Sequence, residues 1–411
     1  MNKNYSFFIP VLTLILFLFG HTVFLDFLGT ILLVAFLLLY FKTNLFFLTY
    51  FALIFFEQII IIPYLEGSFL RIYQVLFFVR IIYDLVSFKI KLNPLRFNQF
   101  SSLIFFLGLF LFLNPYEIIS IFINIFIINY ILFFYNNKEV KILNLIVMFF
   151  SIFILFSGVY GIFFIPPINY GSYLRFSSII GDPNYSALFY IIGLISSLFY
   201  TKYNRFIRFL LFLLYTILII ITFSFTGYFL FIVTVLSYLF FVKRRVFYII
   251  LFLLILNSTI FLSLDFPRST FYYLLQERIL GLFTLTNLDI ISSGRFSIQL
   301  NYLNYFFDLP LMNQLFGGLN SVSGNFRDLM VLNFGSVSHS SIIDLLFMEG
   351  IIGTIIFLFL YVISFVRYYN KFLKSRNQIY LGVSILKLFV LVFSLSISVF
   401  PFRYFYLIFI L

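Results

Sequence analysis

The chain has 411 residues, of which 63% are hydrophobic and 10% are charged, with a formal net charge of +12 and neither cysteine nor tryptophan. A soluble domain cannot bury that much apolar surface, so the composition predicts an integral membrane protein. The lack of cysteine excludes a disulfide framework and a thiolate metal site. The apolar runs are continuous and do not alternate with period two, which predicts helices and not a β-barrel.

Runs of about twenty apolar residues are long enough to cross a bilayer as helices. In chain order the predicted spans are residues 6–20, 25–41, 45–64, 69–88, 100–114, 117–135, 143–165, 185–200, 209–223, 226–242, 246–264, 341–365 and 379–398. A last run, 399–411, is a candidate fourteenth. The prediction is an all-α polytopic integral membrane protein with about 12–14 transmembrane helices, forming a single membrane domain over residues 1–411.

Basic residues are concentrated in alternate connections between these spans. Together with Lys3, those connections hold 17 of the 26 Lys and Arg residues, whereas the intervening ones hold most of the acids. Short loops rich in Lys and Arg stay in the cytoplasm, so the N-terminus is predicted to be cytoplasmic. The basic excess is thus a topology signal, and no nucleic-acid partner is expected.

Two outward segments are longer than a connection needs: a short extracytoplasmic loop, 166–184, and a long one, 265–340. The short loop contains Arg175, the long loop contains four arginines, and neither contains lysine. A guanidinium binds phosphate oxygens in a bidentate fork, whereas an ammonium acts as a point charge. The pattern therefore suggests a lipid-linked phosphate as ligand, and the alternative is pairing with the acids of the same loops.

Two histidines are present, and only one of them is a candidate for chemistry. His21 lies in a tight turn after the first span, where an interfacial role is expected. His339 ends the long loop just before an apolar helix, and imidazole is the side chain most easily tuned to take a proton near neutral pH. The structural alternative is a capping arrangement in which Ser341 is the N-cap and Asp344 follows three residues later.

Charged residues inside the predicted spans need partners or a cavity. Arg80 and Asp84 are one turn apart in the fourth span, which predicts an internal ion pair, with Glu57 completing it. The functional alternative is that Arg71, near the outer end of the same span, reaches a lipid phosphate.

No Walker loop, Rossmann glycine pattern, His-Glu-x-x-His motif or acidic pair spaced for a metal is present. No cofactor and no metal site are therefore expected.

Four short stretches resemble the bacterial O-antigen ligase and polymerase superfamily of membrane glycosyltransferases. They are Arg175–Asn184, which ends in Asp-Pro-Asn; Thr222–Gly227, with Phe225 where the family often has arginine; Ser293-Gly-Arg295; and His339–Gly353. The Ser-Gly-Arg stretch is followed by a Gly317-Gly318 pair that is similar to the family's turn. The match covers about residues 170–360, and the N-terminal half matches only in hydropathy.

The resemblance implies a metal-independent, inverting glycosyl transfer on the outer face of the bacterial inner membrane. The donor would be an oligosaccharide on undecaprenyl pyrophosphate, with membrane lipid, a chain-length regulator and a flippase as expected partners. The implied catalytic residues are His339 as the base and Arg295 and Arg175 as stabilisers of the pyrophosphate. The candidate substrate-binding residues are Asp182 and Asn184 in the Asp-Pro-Asn stretch, Arg278 in the long loop and Arg71 in the fourth span.

Three functions stay open at this point. A polymerase, which joins repeat units on the lipid carrier, is favoured. A ligase, which transfers the glycan to the lipid A core, shares the donor chemistry. A flippase or other transporter of the lipid-linked oligosaccharide would instead use intramembrane charges such as Glu57, Arg80, Asp84 and Lys387.

Overall fold

The computed structural model describes part of the chain, and every structural statement below concerns that part. The described residues are 31–32, 34–35, 37–39, 41, 46, 61–62, 67–87, 123, 127, 139–169, 174–178, 181–200, 203–264, 272–273, 275–277, 280, 295–317 and 340–394.

The structure gives the bounds of ten helices and of two very short antiparallel strand pairs. The helices are α1 (Phe69–Val86), α2 (Glu139–Phe164), α3 (Pro183–Phe199), α4 (Arg205–Ile221), α5 (Phe225–Val242), α6 (Arg244–Ser263), α7 (Arg295–Asp308), α8 (Leu311–Phe316), α9 (Ser341–Ser375) and α10 (Gln378–Ser394). The strand pairs are β1 (Ile61–Ile62) with β2 (Gly67–Ser68), and β3 (Ile168–Asn169) with β4 (Leu174–Arg175). The predicted all-α class is therefore confirmed in the described residues.

Four stretches of helix in the described part are long and apolar enough to cross a membrane. They lie at Ile146–Phe164, Phe225–Val242, Arg244–Ser263 and Glu349–Ser375. Two shorter apolar helices, α3 and α10, accompany them. The predicted span 45–64 needs a correction at its end, because Ile61 and Ile62 form a strand paired with Gly67 and Ser68.

The chain falls into two compact units, which are described separately. The first consists mainly of Met1–Phe105 and Ile119–Phe149, and the second mainly of Phe106–Ile118 and Phe150–Phe409. In the first unit, α1 contains the predicted Arg80–Asp84 ion pair, with Nε of Arg80 2.8 Å from a carboxylate oxygen of Asp84. The Arg80 guanidinium also donates to the backbone carbonyl of Phe41 and lies over its ring. Glu57, expected to complete the pair, lies outside the described residues.

In the second unit, α3 is the central helix. It is buried along nearly its whole length and packs against α4, α5 and α10, while α9 packs against α10. Small residues permit the close approaches, because a Cβ on Gly227 of α5 would lie 2.6 Å from the Cβ of Ala187 of α3. Helices in a membrane associate through such small-residue contacts, since burial from water no longer drives their packing.

Two helices, α7 and α8, lie within the segment that the sequence treats as a long loop. α7 packs on the start of α9 through a cluster of four buried side chains: Tyr302, Phe306, Ile343 and Phe347. α8 packs farther along α9, at a kink centred on Gly350. The loop is therefore partly a helical element fixed to α9.

Candidate functional site

The start of α3 is defined by a local capping arrangement. Asp182 is the N-cap, and its carboxylate accepts hydrogen bonds from the backbone N–H groups of Asn184 (2.7 Å) and Tyr185 (3.1 Å). Pro183 occupies the first turn, where its missing N–H has no consequence. Gly181, with φ of +78°, supplies the turn that leads into the cap. The Gly-Asp-Pro-Asn sequence is thus explained first as a helix start.

Arg175 is held by this helix start and by the break between α4 and α5. Its side chain is 8% exposed, its Nε donates to the carbonyl of Thr222 (2.8 Å), and its Nη2 donates to Oδ1 of Asn184 (2.9 Å). The Ser224 hydroxyl donates to the same oxygen of Asn184 at 3.0 Å. Asn184 therefore joins three chain segments through one amide oxygen.

The α4–α5 break, Thr222–Ser224, has the backbone geometry that makes these contacts possible. Phe223 adopts φ of +46°, which is uncommon for a residue with a side chain. Ser224 caps α5 by accepting from the N–H of Gly227, and the Ile221 carbonyl accepts from the N–H of Phe176 at 3.1 Å. At the break, the carbonyls of Ile221 and Thr222 accept hydrogen bonds from Phe176 and Arg175. Backbone atoms of the break therefore hold Arg175 in position.

Arg295, the first residue of α7, lies 120 residues farther along the chain than Arg175 and interacts electrostatically with it. Burial lowers the pKa of its half-buried guanidinium, and the nearby charge of Arg175 lowers it further. Asp182 and Tyr185 act in the opposite direction and raise that pKa. The structure thus places Arg295 within electrostatic range of all three residues. Among the described residues, two guanidinium groups and one carboxylate therefore act on one another at the start of α3.

The position of Arg295 is fixed by the packing of α7. Tyr302 is fully buried against Phe347 of α9, with ring centroids 6.0 Å apart, and Phe306 packs on the same ring. Burial raises the pKa of Tyr302 to about 12, and the neighbouring carboxylate of Asp344 adds to that increase. α7 therefore extends from the first turn of α9 to the start of α3.

The start of α9 differs from the predicted capping arrangement by one residue. The N-cap is Ser340, whose hydroxyl accepts from the N–H of Ile343 at 3.4 Å and donates to the Ser394 carbonyl at 3.3 Å. Ser341, predicted as the cap, is the first helical residue. Ser340 has an extended backbone and can be a cap, whereas Ser341 is already helical.

The other predicted site residues are only partly within the described residues. His339 and Arg278 lie outside them, and Arg71 is described only by its backbone, which belongs to α1. In the part of the chain that is described, no group of three His, Asp or Glu side chains could hold a metal ion.

Two features of the second unit were not predicted as parts of a site. Tyr185 lies within electrostatic range of Arg295. Its position directly after Asp-Pro-Asn, in the first turn of α3, was the sequence feature that could have indicated this. Glu349 is 3% exposed, and its Oε1 accepts no hydrogen bond from the residues that the structure describes. The following Gly350 has φ of +66° and kinks α9 there. A Glu-Gly pair in an apolar helix was the signal for this feature.

Comparison with protein-family models, with curated proteins and with solved structures finds no match for this chain.

Proposed function

We propose that the chain is an integral membrane glycosyltransferase that polymerises lipid-pyrophosphate-linked oligosaccharide repeat units at the outer face of the bacterial inner membrane. The observation that carries the proposal is the electrostatic interaction of Arg295 with Asp182 and Arg175, which places a second guanidinium near the start of α3. The long apolar helices of the described residues support a membrane location. The short motifs of the O-antigen ligase and polymerase superfamily supply the reaction class.

In this proposal the two arginines have different tasks. Arg175 already donates to a backbone carbonyl and to Asn184, so it organises the site. Its positive charge adds to the electrostatic stabilisation of the pyrophosphate without a direct contact. Arg295 is less buried and approaches the site from the side of the long loop, so it contacts the pyrophosphate oxygens. Preorganised cationic donors of this kind stabilise the charge that develops on a leaving group.

The transfer step conserves atoms and electrons without a cofactor. The acceptor sugar hydroxyl forms a new bond to the anomeric carbon of the donor, and the bond from that carbon to the pyrophosphate oxygen breaks. The electron pair stays on the pyrophosphate, whose charge Arg295 stabilises. The hydroxyl proton passes to His339, which is the general base in this proposal.

A ligase would use the same donor site and a different acceptor, so the phenotype of a deletion mutant separates the two. Loss of a polymerase leaves single repeat units on the lipid core, and loss of a ligase leaves none. The deletion should be complemented by the parent chain and by the control variant Arg245→Ala, whose side chain is exposed in the first turn of α6, beyond the end of α5 that is far from Ser224. Arg295→Ala and His339→Ala, inserted at parental levels, should fail to restore long chains, with activity lower by about 10²–10³-fold. Full banding with both variants would overturn the proposal.

A transporter is the second candidate, because Lys387 is fully buried in α10. Its ammonium lies 5.0 Å from the ring centroid of Tyr361, whose hydroxyl donates to the Lys387 carbonyl at 2.6 Å. This cation–π contact gives Lys387 a structural reason to be there. Movement of the lipid-linked oligosaccharide across vesicles, with no chain elongation, would favour the transporter.

A further inference from the structure

α7 presents three different faces, and two of them are exposed. At 100° per residue, Arg295, Tyr302 and Phe306 share the face that packs on the protein. The first exposed stripe is apolar and consists of Phe296, Leu300 and Phe307, which are 41%, 46% and 61% exposed. The second exposed stripe is polar and consists of Ser297, Asn301, Asn304 and Asp308. The two stripes are centred about 90° apart around the helix axis.

This division is the one expected of a helix at a lipid–water boundary. Exposed apolar side chains on a soluble surface are usually scattered singly, whereas an interfacial helix separates them from its polar side. Between residues 295 and 317 the only charged residues are Arg295 and Asp308. Arg295 lies on the protein face and Asp308 on the polar stripe. The apolar stripe therefore contains no charge.

α8 continues the apolar surface. Leu311, Met312 and Phe316 are 67%, 68% and 57% exposed, although they belong to a segment predicted as a polar loop. The backbone carbonyls at the junction with α7 are satisfied internally. The side-chain amide of Gln314 donates to the carbonyls of Phe307 (2.8 Å) and Leu309 (2.7 Å). Backbone groups near hydrocarbon need such internal partners, because water is not there to supply them.

The contact between α8 and α9 indicates the depth of this surface. α8 ends against Gly350, where an added Cβ would collide with the Leu315 carbonyl. Gly350 lies nine residues after Ser341, which is about 14 Å along the helix. It also lies beside Glu349, where the apolar stretch Glu349–Ser375 begins. α8 therefore packs at the edge of the part of α9 that is suited to hydrocarbon.

We propose that α7 and α8 lie in the membrane interface of the leaflet where α9 begins, with six side chains among the lipid acyl chains: Phe296, Leu300, Phe307, Leu311, Met312 and Phe316. The inference rests on the proposed membrane location and is independent of the transferase reaction. It places Arg295 at the level of lipid headgroups, where a phosphate carried by a membrane lipid reaches it sideways from the bilayer.

The absence of tryptophan from the chain makes a direct test possible, because each single substitution adds one site-specific fluorophore. The probes are Phe307→Trp, Met312→Trp and Phe316→Trp, in purified full-length protein reconstituted into phosphatidylcholine vesicles with or without acyl-chain bromination. The matched control is Asn304→Trp, which is exposed on the polar stripe of α7. A second control, Phe359→Trp, reports on the apolar stretch of α9, where Phe359 is 64% exposed.

We expect the probes to emit at shorter wavelengths than Asn304→Trp and to be quenched by bromination at least about twofold more strongly. Phe359→Trp should be quenched as well. Quenched Phe359→Trp with unquenched probes would overturn the inference and leave the membrane location intact. Unquenched probes that emit at short wavelength would show that a protein surface covers the stripe. Unquenched Phe359→Trp would refute the membrane location itself, and the inference with it.

Discussion

The hydrogen bond between Arg175 and Asn184 should contribute measurably to folding, and a double-mutant cycle isolates that contribution. The perturbations are Arg175→Met, Asn184→Ala and the two together. Asn184→Ala retains the backbone N–H that donates a hydrogen bond to the Asp182 carboxylate, so the cap of α3 is left in place. The Arg175–Thr222 bond is lost whenever Arg175 is replaced, so it cancels from the coupling energy.

The magnitude follows from the geometry of the contact. Arg175 is 8% exposed, so water screens its bonds little, and both bonds have a charged donor at 2.8–2.9 Å. A hydrogen bond to a charged group contributes about 1.5–3 kcal/mol, so Arg175→Met should cost about 3–6 kcal/mol for two bonds. The coupling between Arg175 and Asn184 should be about 1.5–3 kcal/mol, because one bond joins them.

The assay is equilibrium unfolding of the purified variants by denaturant in mixed micelles. A second cycle, Ser224→Ala with Asn184→Ala, supplies the control, since a neutral hydroxyl donates to the same oxygen at 3.0 Å. That coupling should be smaller, at about 0.5–1.5 kcal/mol. A coupling of Arg175 with Asn184 that is no larger than that of Ser224 would refute the assignment of Arg175 as the organiser of the site.

Two further predictions concern the packing of α7 and α8 on α9. Gly350→Ala should destabilise the fold by about 2–5 kcal/mol through its positive φ and a collision with the Leu315 carbonyl. Gly181 has φ of +78°, and a Cβ added there would meet no heavy atom of the described residues within 4 Å, so Gly181→Ala should cost only about 1–2 kcal/mol. Equal thermal shifts for the two variants would contradict the contact between α8 and Gly350. The pKa of Tyr302, raised from 10.0 to about 12, predicts stability that is fully present below pH 10 and is lost as the pH rises to 12. Tyr302→Phe should reduce the slope of the free energy of unfolding against pH between pH 10 and pH 12. An unchanged slope would contradict the burial of the phenol.

Hydropathy was sufficient to predict the long helices of the described residues, whereas the predicted spans 6–20, 100–114 and 399–411 lie outside those residues. α3, predicted at 185–200, lies at Pro183–Phe199, and α5, predicted at 226–242, lies at Phe225–Val242. The end of α9 was less well predicted, because the helix continues to Ser375, ten residues past the predicted 365. Basic residues mark a membrane boundary but do not end a helix. The last turns of α9 instead pack through their aromatic rings, with Lys371 lying over Tyr368 and Tyr380.

The helices of the long loop were missed for a physical reason. A span is recognised by a continuous apolar run, whereas α7 mixes a packing face, an apolar stripe and a polar stripe. The main partner of Arg175 was also beyond prediction, because it is the Thr222 carbonyl and a backbone acceptor has no sequence signature. The structure joins Arg175 to Asn184 by a hydrogen bond and places Arg295 within electrostatic range of Arg175 and Asp182.

The helical nature of the Arg295 segment has a consequence for the proposed chemistry. Arg295 lies seven residues before Tyr302 and eleven before Phe306, so all three share one face of α7. Burial of Tyr302 and Phe306 against α9 therefore sets the direction in which Arg295 points. A guanidinium on a mobile loop would lose conformational freedom on binding a phosphate, whereas one on an anchored helix has lost it in folding.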